Sequence, residues 1–325
     1  FVDLHVHGAA GAAFDDGAEA IATAVAAHRA RGTTRTLLSL ITASPADMTV
    51  AIRAAAAAAA SDPSVLGIHL EGPFLAENRR GAHDPAKLLD PDPAVLERFL
   101  EAGDGRIRVV TLAPERPGGL DLVRRLVAAG VHAAVGHSDA GYDAAAAAFA
   151  AGADLVTHAF NGMRPLHHRD PGIVAAAMDA GAVLEAINDG VHLHDATVRL
   201  LHAIAPDRLD LVTDAMAAAC AADGAYRLGS MDVTVTDGVA RLTGQDAIAG
   251  STLTMDVAVR RAVHDVGLDL VQAANAASLV PARLLGVDDR FGCIAAGRAA
   301  DLVVAGDDLA VQAVMVAGRW VQGRP

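Results

Sequence analysis

Cysteine is nearly absent from this 325-residue chain: Cys220 and Cys293 are the only two, far apart and without metal-type spacing. They supply no disulfide framework and fit buried, inert thiols in a reducing compartment. Long hydrophobic runs are missing as well. Tracts such as "AIRAAAAAAAS" fall short of the ~20 strongly apolar residues that a bilayer span requires, which excludes a spanning segment of that kind; they read as good helix formers. Positive charge is scarce, with 26 Lys and Arg against 39 Asp and Glu and a formal net charge of -13. That balance argues against a nucleic-acid surface, because phosphate contacts need clustered cations, yet it leaves room for one local anion site. The start shows no basic stretch followed by an apolar run and a small-residue cleavage site, so the expected compartment is the cytoplasm. The chain opens on Phe1 rather than methionine, directly in what reads as a strand, and a segment upstream is expected to have been cut off.

What the chain does have is apolar residues in abundance, 53% of the total, enough for one large barrel or two smaller domains. Short β-branched or apolar runs alternate with alanine-rich stretches of helical length, the signature of parallel βα units. Eight strands are expected: Val2 to His7, Thr34 to Ile41, Val65 to Glu71, Ile107 to Leu112, Val131 to His137, Leu155 to Phe160, Val183 to Asn188 and Leu209 to Asp214. Helices are expected between them, among others over Ala18 to Arg31, Pro45 to Ala60, Leu120 to Ala129, Asp143 to Ala151 and Ala196 to Ala205. The fold class expected is therefore α/β, a (β/α)8 TIM-type barrel, for which ~250 residues is typical. Residues 1–285 are assigned to the barrel, with a β-hairpin insertion at about 225–243 and a helix beginning near Thr252. Residues 286–325 read as strands of a small, incomplete β-domain.

The opening "FVDLHVHG" places His5 and His7 two apart, hence on one face of a strand. Barrel lumens are normally filled by branched apolar side chains, so two imidazoles there need partners. Alone, the pair fits a metal site and a hydrogen-bonded core equally well. Further polar residues fall at strand ends, where barrel active sites are built. Glu71 ends "GIHLE", His137 ends "AVGH", His158 sits in "VTHAFNGM", Asp214 ends "LVTD" and His192 follows a strand in "NDGVHLHD". One Glu and several His suit Zn²⁺ or Fe²⁺ with a position left for water. Asp214 is then placed for general base and acid work; the competing reading is a helix N-cap. His69, one layer deeper than Glu71, reads as a hydrogen-bonded core histidine, and His28 and His132 as structural.

These motifs, with "GAHDP", "IAGSTLTM", "PARLLGV" and "GCIAAGRAADLVV" in order along nearly the whole chain, resemble the N-acetylglucosamine-6-phosphate deacetylase family of the amidohydrolase superfamily. The resemblance implies that Glu71, His137 and His158 hold the hydrolytic metal, that His5 and His7 are left for a second ion, that Asp214 activates water and that His192 polarises the amide carbonyl. It also implies a phosphorylated N-acetyl amino sugar as substrate, with Arg169 on the phosphate, a role suited to a forked guanidinium. Ala82, His83, Asn161, Gly162, Ile248, Ala249 and Gly250 match the family's sugar- or phosphate-contacting loops. The family more often has Ala where Gly162 stands, so a more flexible loop is expected there. One or two ions, a homodimer, and no nucleic-acid or membrane partner complete the expectation. Two rival readings stand beside it: an amidohydrolase acting on a different amide or cyclic amide, and a metal-binding barrel without catalysis.

Overall fold

The computed structural model describes residues 1–324. Its centre is an eight-stranded sheet whose neighbours follow chain order: β1 (Val2–Asp3), β2 (Arg35–Ile41), β3 (Val65–Glu71), β4 (Ile107–Leu112), β5 (His132–Val135), β6 (Leu155–Val156), β7 (Val183–Ile187) and β8 (Leu209–Val212). All neighbouring pairs are parallel. Beyond the last ladder pairs, the first and last strands meet: Asp214 N–H donates to His5 O at 2.8 Å and His7 N–H to Ala215 O at 2.8 Å. Each strand is followed by a helix, α1 (Ala18–Ala30), α2 (Pro45–Ser61), α3 (Pro93–Gly103), α4 (Gly119–Ala128), α5 (Tyr142–Ala150), α6 (Gly172–Ala180), α7 (Asp195–Ile204) and α8 (Met255–Arg261). This is the (β/α)8 architecture read from the sequence. Among the described residues, no helix is long and apolar enough to cross a membrane.

Local chemistry explains the elements. Every residue of β2 is buried, as expected of a parallel strand covered on both faces. Helix α2 starts where the Ser44 hydroxyl accepts from Asp47 N–H at 3.2 Å and Pro45 takes the first helical position. It buries Met48, Ala51, Ile52, Ala55 and Ala56, one stripe at helical spacing, so its small side chains let it lie close on the barrel.

Four strands end earlier than their apolar runs suggest. The ladders of β1, β5, β6 and β8 stop at Asp3, Val135, Val156 and Val212. Three of the following residues have left-handed backbone: His137 at φ +45°, His158 at +26° and Asp214 at +48°. Such conformations turn the chain off the sheet and are disfavoured for side chains with a Cβ, so the fold holds strain at these positions.

After β8 the chain forms an antiparallel sheet, β9 (Gly224–Leu228), β10 (Met231–Thr236) and β11 (Val239–Leu242). Along β10 buried and exposed residues alternate. Leu228, Val233, Val235, Ala240 and Leu242 pack with Ile41, Ala82, Met216 and Ala249 in a core separate from the main one, so this sheet is pinned beside the barrel mouth. The helix after it begins at Met255. Two further helices, α9 (Leu270–Ala276) and α10 (Leu279–Leu284), lead to a second antiparallel sheet, β12 (Leu302–Ala305), β13 (Val311–Val316) and β14 (Arg319–Gln322). Arg35 Nη2 donates to Asp301 Oδ1 at 3.0 Å and links that segment to the start of β2. Both cysteines are free and exposed, which corrects their reading as buried thiols: each falls in a loop between elements rather than on a packed face.

Gly136 shows how tightly the barrel is drawn together at its functional end. A Cβ there would lie 2.6 Å from Thr157 Cβ and 2.8 Å from Thr111 Cγ2. The bare backbone lets β4, β5 and β6 approach just before His137 and His158. Gly136→Ala is therefore expected to cost about 1–3 kcal/mol through overpacking. Thermal unfolding of the metal-free chain reads this as a lower Tm, and an unchanged Tm overturns it.

Candidate active site

Side chains from several strand ends converge on one point. Glu71 ends β3 and is 3% exposed, with Oε1 3.0 Å from His137 Nε2, 3.1 Å from His158 Nε2 and 3.5 Å from His5 Nε2. Its Oε2 stands 3.3 Å from both His7 Nε2 and His83 Nε2. The imidazoles also face one another: His5 and His7 meet Nε2 to Nε2 at 3.2 Å, and His137 and His158 at 3.1 Å. Asp214 Oδ1 lies 3.4 Å from Nε2 of both His5 and His7. Asp214 precedes no described helix start, so the N-cap alternative has no helix to cap.

The tautomers decide what this cluster can hold. His5 Nδ1 donates to Glu185 Oε2 at 3.1 Å, and His137 Nδ1 donates to the Arg79 carbonyl at 2.8 Å. In the neutral rings the Nε2 atoms of these two residues therefore carry lone pairs, and both aim at the Glu71 carboxylate. Lone pairs facing an anion repel unless positive charge stands between them. Burial alone would lower the His7 pKa, yet Asp214 and Glu71 push it up to about 9. His5 is likewise buried, and Asp214, Glu71 and Glu185 raise it well above the ordinary range. Burial raises and the surrounding imidazoles lower both carboxylates, and the imidazoles win: Glu71 and Asp214 are held well below the usual range. The cluster thus demands a cation, and its nitrogen and oxygen donors fit a divalent metal ion.

The cavity above the cluster has a volume of about 310 Å³, in the range of small-molecule sites. It is bordered by His7, Glu71, His83, His137, His158 and Asp214 at its floor, and by Ala82, Asn161, Gly162, His192, Ile248 and Gly250 around them. Ala249 is fully buried behind this wall. His5 is also fully buried, beneath the cavity. His192 Nδ1 donates to Asp189 Oδ2 at 2.7 Å, while Asp189 Oδ1 accepts from Val191 and His192 N–H, each at 2.8 Å. Burial lowers the His192 pKa and the Asp189 carboxylate raises it by more, so the net shift is upward. Gly162 has φ +57°, and a Cβ there would lie 2.9 Å from His137 Nδ1. Its carbonyl accepts from Ser138 N–H at 3.1 Å, so the glycine serves close approach to the His137 ring.

Arg169 lies outside this cavity. It is exposed on the loop that leaves the pocket at Asn161, with Nη1 2.7 Å from His168 Nε2. No arginine or lysine lines the cavity among the described residues. His83, which the sequence offers as a substrate contact, has its ring inside the cluster around Glu71; Thr42 Oγ1 holds its Nδ1 at 2.9 Å, and burial depresses it to about 4. His69 is buried between Ser39 Oγ at 2.9 Å and Thr111 Oγ1 at 2.8 Å, as a core histidine should be. Sequence reading overlooked Glu185, Asp189 and Asp3. Asp3 accepts from the Thr213 hydroxyl at 2.6 Å and from Thr213 and His5 N–H at 3.3 Å each. Its signal was available, because Asp3, His5 and His7 share one strand parity.

Comparison with known proteins agrees with this geometry. The amidohydrolase family model matches residues 1–321. The N-acetylgalactosamine-6-phosphate deacetylase of Escherichia coli O157:H7 is 40% identical over 329 residues, which span 100% of this chain and 86% of that protein. The N-acetylglucosamine-6-phosphate deacetylase of Vibrio furnissii is 35% identical, over 98% of this chain and 81% of its own length. Among solved structures, a mutant N-acetyl-D-glucosamine-6-phosphate deacetylase of Mycobacterium smegmatis in complex with N-acetyl-D-glucosamine-6-phosphate superposes with a TM-score of 0.96 at 47% identity, covering 99% of this chain and 86% of that one. The barrel, the cluster of imidazoles around one glutamate and these full-length likenesses agree: the chain belongs to the amidohydrolase family.

Proposed function

We propose that this chain hydrolyses the acetamide of N-acetylglucosamine 6-phosphate to glucosamine 6-phosphate and acetate, in amino-sugar catabolism or cell-wall recycling. The observation that carries the reading is the Glu71 carboxylate, with His5, His7, His83, His137 and His158 Nε2 all 3.0–3.5 Å from one of its oxygens. Glu71, His137 and His158 would hold one divalent ion, zinc or iron by donor type, with His5 and His7 available to a second. When bound, such an ion supplies Lewis acidity, which acidifies water and polarises an amide carbonyl.

The protein's own groups do the rest. Asp214, kept ionised by His5 and His7, takes the proton from the attacking water on a carboxylate oxygen and returns it to the amine nitrogen as the C–N bond breaks. His192, its Nδ1–H fixed on Asp189 and its protonated form favoured, offers Nε2–H to the carbonyl oxygen as negative charge develops there. Ala82, His83, Asn161, Gly162, Ile248, Ala249 and Gly250 shape the sugar subsite. Arg169 is assigned to the phosphate through its loop, and the chain is assigned to the cytoplasm as a homodimer.

A second reading, the galacto epimer, is favoured by the 40% identity to the N-acetylgalactosamine-6-phosphate deacetylase. Acetate release from both epimers, each with and without the 6-phosphate, separates the possibilities. The glucosamine derivative is expected to give the highest kcat/KM, and equal rates with and without phosphate overturn the phosphate assignment. Bound metal with no turnover on any of these substrates supports the non-catalytic barrel instead.

Two substitutions test individual roles. Asp214→Asn is expected to keep its metal, by elemental analysis, while losing about 100-fold or more of kcat, and near-full activity excludes Asp214 as the base. Arg169→Ala is expected to raise KM for the phosphorylated substrate with little change in kcat. An unaltered KM excludes it from phosphate binding.

A further inference from the structure

We propose that Glu185 is a positioning residue that binds the two arms of the metal centre together and fixes which nitrogen of His5 is free to act as a ligand. This inference rests on reading His5 and His158 as ligands of a divalent ion. Glu185 lies on β7, is 1% exposed and does not border the cavity. Its Oε2 accepts from His5 Nδ1 at 3.1 Å and from His158 N–H at 3.0 Å, and its main-chain carbonyl accepts from Ala159 N–H at 2.8 Å.

Each contact supplies something the local structure lacks. His158 follows a strand of two residues that ends at Val156, and its backbone is left-handed at φ +26°. The grip of Glu185 on residues 158 and 159, by side chain and main chain together, holds that strained conformation and with it the direction of the ring. His5 also lies beyond the paired part of its strand. Its two tautomers differ in kind: with the proton on Nδ1, Nε2 presents a lone pair toward Glu71; with the proton on Nε2, that ligand atom is capped. A carboxylate on Nδ1 selects the first. Because one oxygen serves both histidines, the arm at the start of the barrel and the arm at its sixth strand share a single anchor.

Zinc retention tests the inference on the full chain. The parent, Glu185→Gln and Glu185→Leu are loaded with Zn²⁺, gel-filtered and assayed for zinc content by elemental analysis. Transfer of the zinc to a chromophoric chelator is then timed, and the Tm of each metal-free protein is recorded. Glu185→Leu is expected to hold zinc about 10–100-fold more weakly and release it correspondingly faster. Glu185→Gln keeps a carbonyl acceptor for both N–H groups and is expected to fall between the two. Zinc content and release equal to the parent's in Glu185→Leu overturn the proposal. Should that variant fail to fold, Glu185→Gln decides: faster zinc release with an unchanged metal-free Tm supports the role, and release at the parent's rate overturns it. A parent chain that takes up no zinc overturns the metal-centre reading itself, and this inference with it.

Discussion

One electrostatic constraint organises the functional end of this barrel: imidazole lone pairs and a carboxylate are packed against each other without room for water between them. In their neutral forms His5 and His137 have their Nδ1 protons committed to Glu185 and to the Arg79 carbonyl, so their Nε2 atoms then have nothing to donate to Glu71. Positive charge must sit at the focus or the arrangement repels itself. The strand ends, the close approach at Gly136 and the buried carboxylate beneath His5 all keep these donors fixed around that focus.

The backbone bears a cost for this convergence. His137, His158 and Asp214 all leave their strands through left-handed conformations that side chains with a Cβ avoid. A regular ladder would point alternate residues into the lumen in layers, whereas these turns swing each side chain over the barrel mouth. Rigid surroundings maintain the strain. Ser251 N–H donates to Asp214 O at 2.7 Å, Ser138 N–H to Gly162 O at 3.1 Å, and Ala159 N–H to Glu185 O at 2.8 Å.

Much of this was legible in the sequence, for physical reasons. The alternation of apolar strands with alanine-rich helices pointed to the barrel, since both periods follow from burial. The polar residues at apolar strand ends marked the site, because an ionisable group there needs a reason. The strand ends expected at His7, His137, Phe160 and Asp214 are too late, because the apolar pattern persists while the backbone leaves the ladder. Glu185 was overlooked in "VLEAIND", where it resembles an ordinary strand residue. Only the folded chain shows that its carboxylate meets His5. For Arg169 the residue type suited to a phosphate is legible in the sequence, whereas the resting place of its loop, exposed beside His168, is given only by the folded chain.

The seam between the first and last staves has a consequence for biogenesis. His5 O receives Asp214 N–H, Ala215 O receives His7 N–H, and Asp3 clasps Thr213 across the same line. On the ribosome, the amino-terminal histidine pair emerges some two hundred residues before the aspartate that completes its surroundings. Until the eighth stave docks, those imidazoles have no closed lumen to enter. The enclosure of both imidazoles is thereby a property of the closed ring and not of the first stave alone.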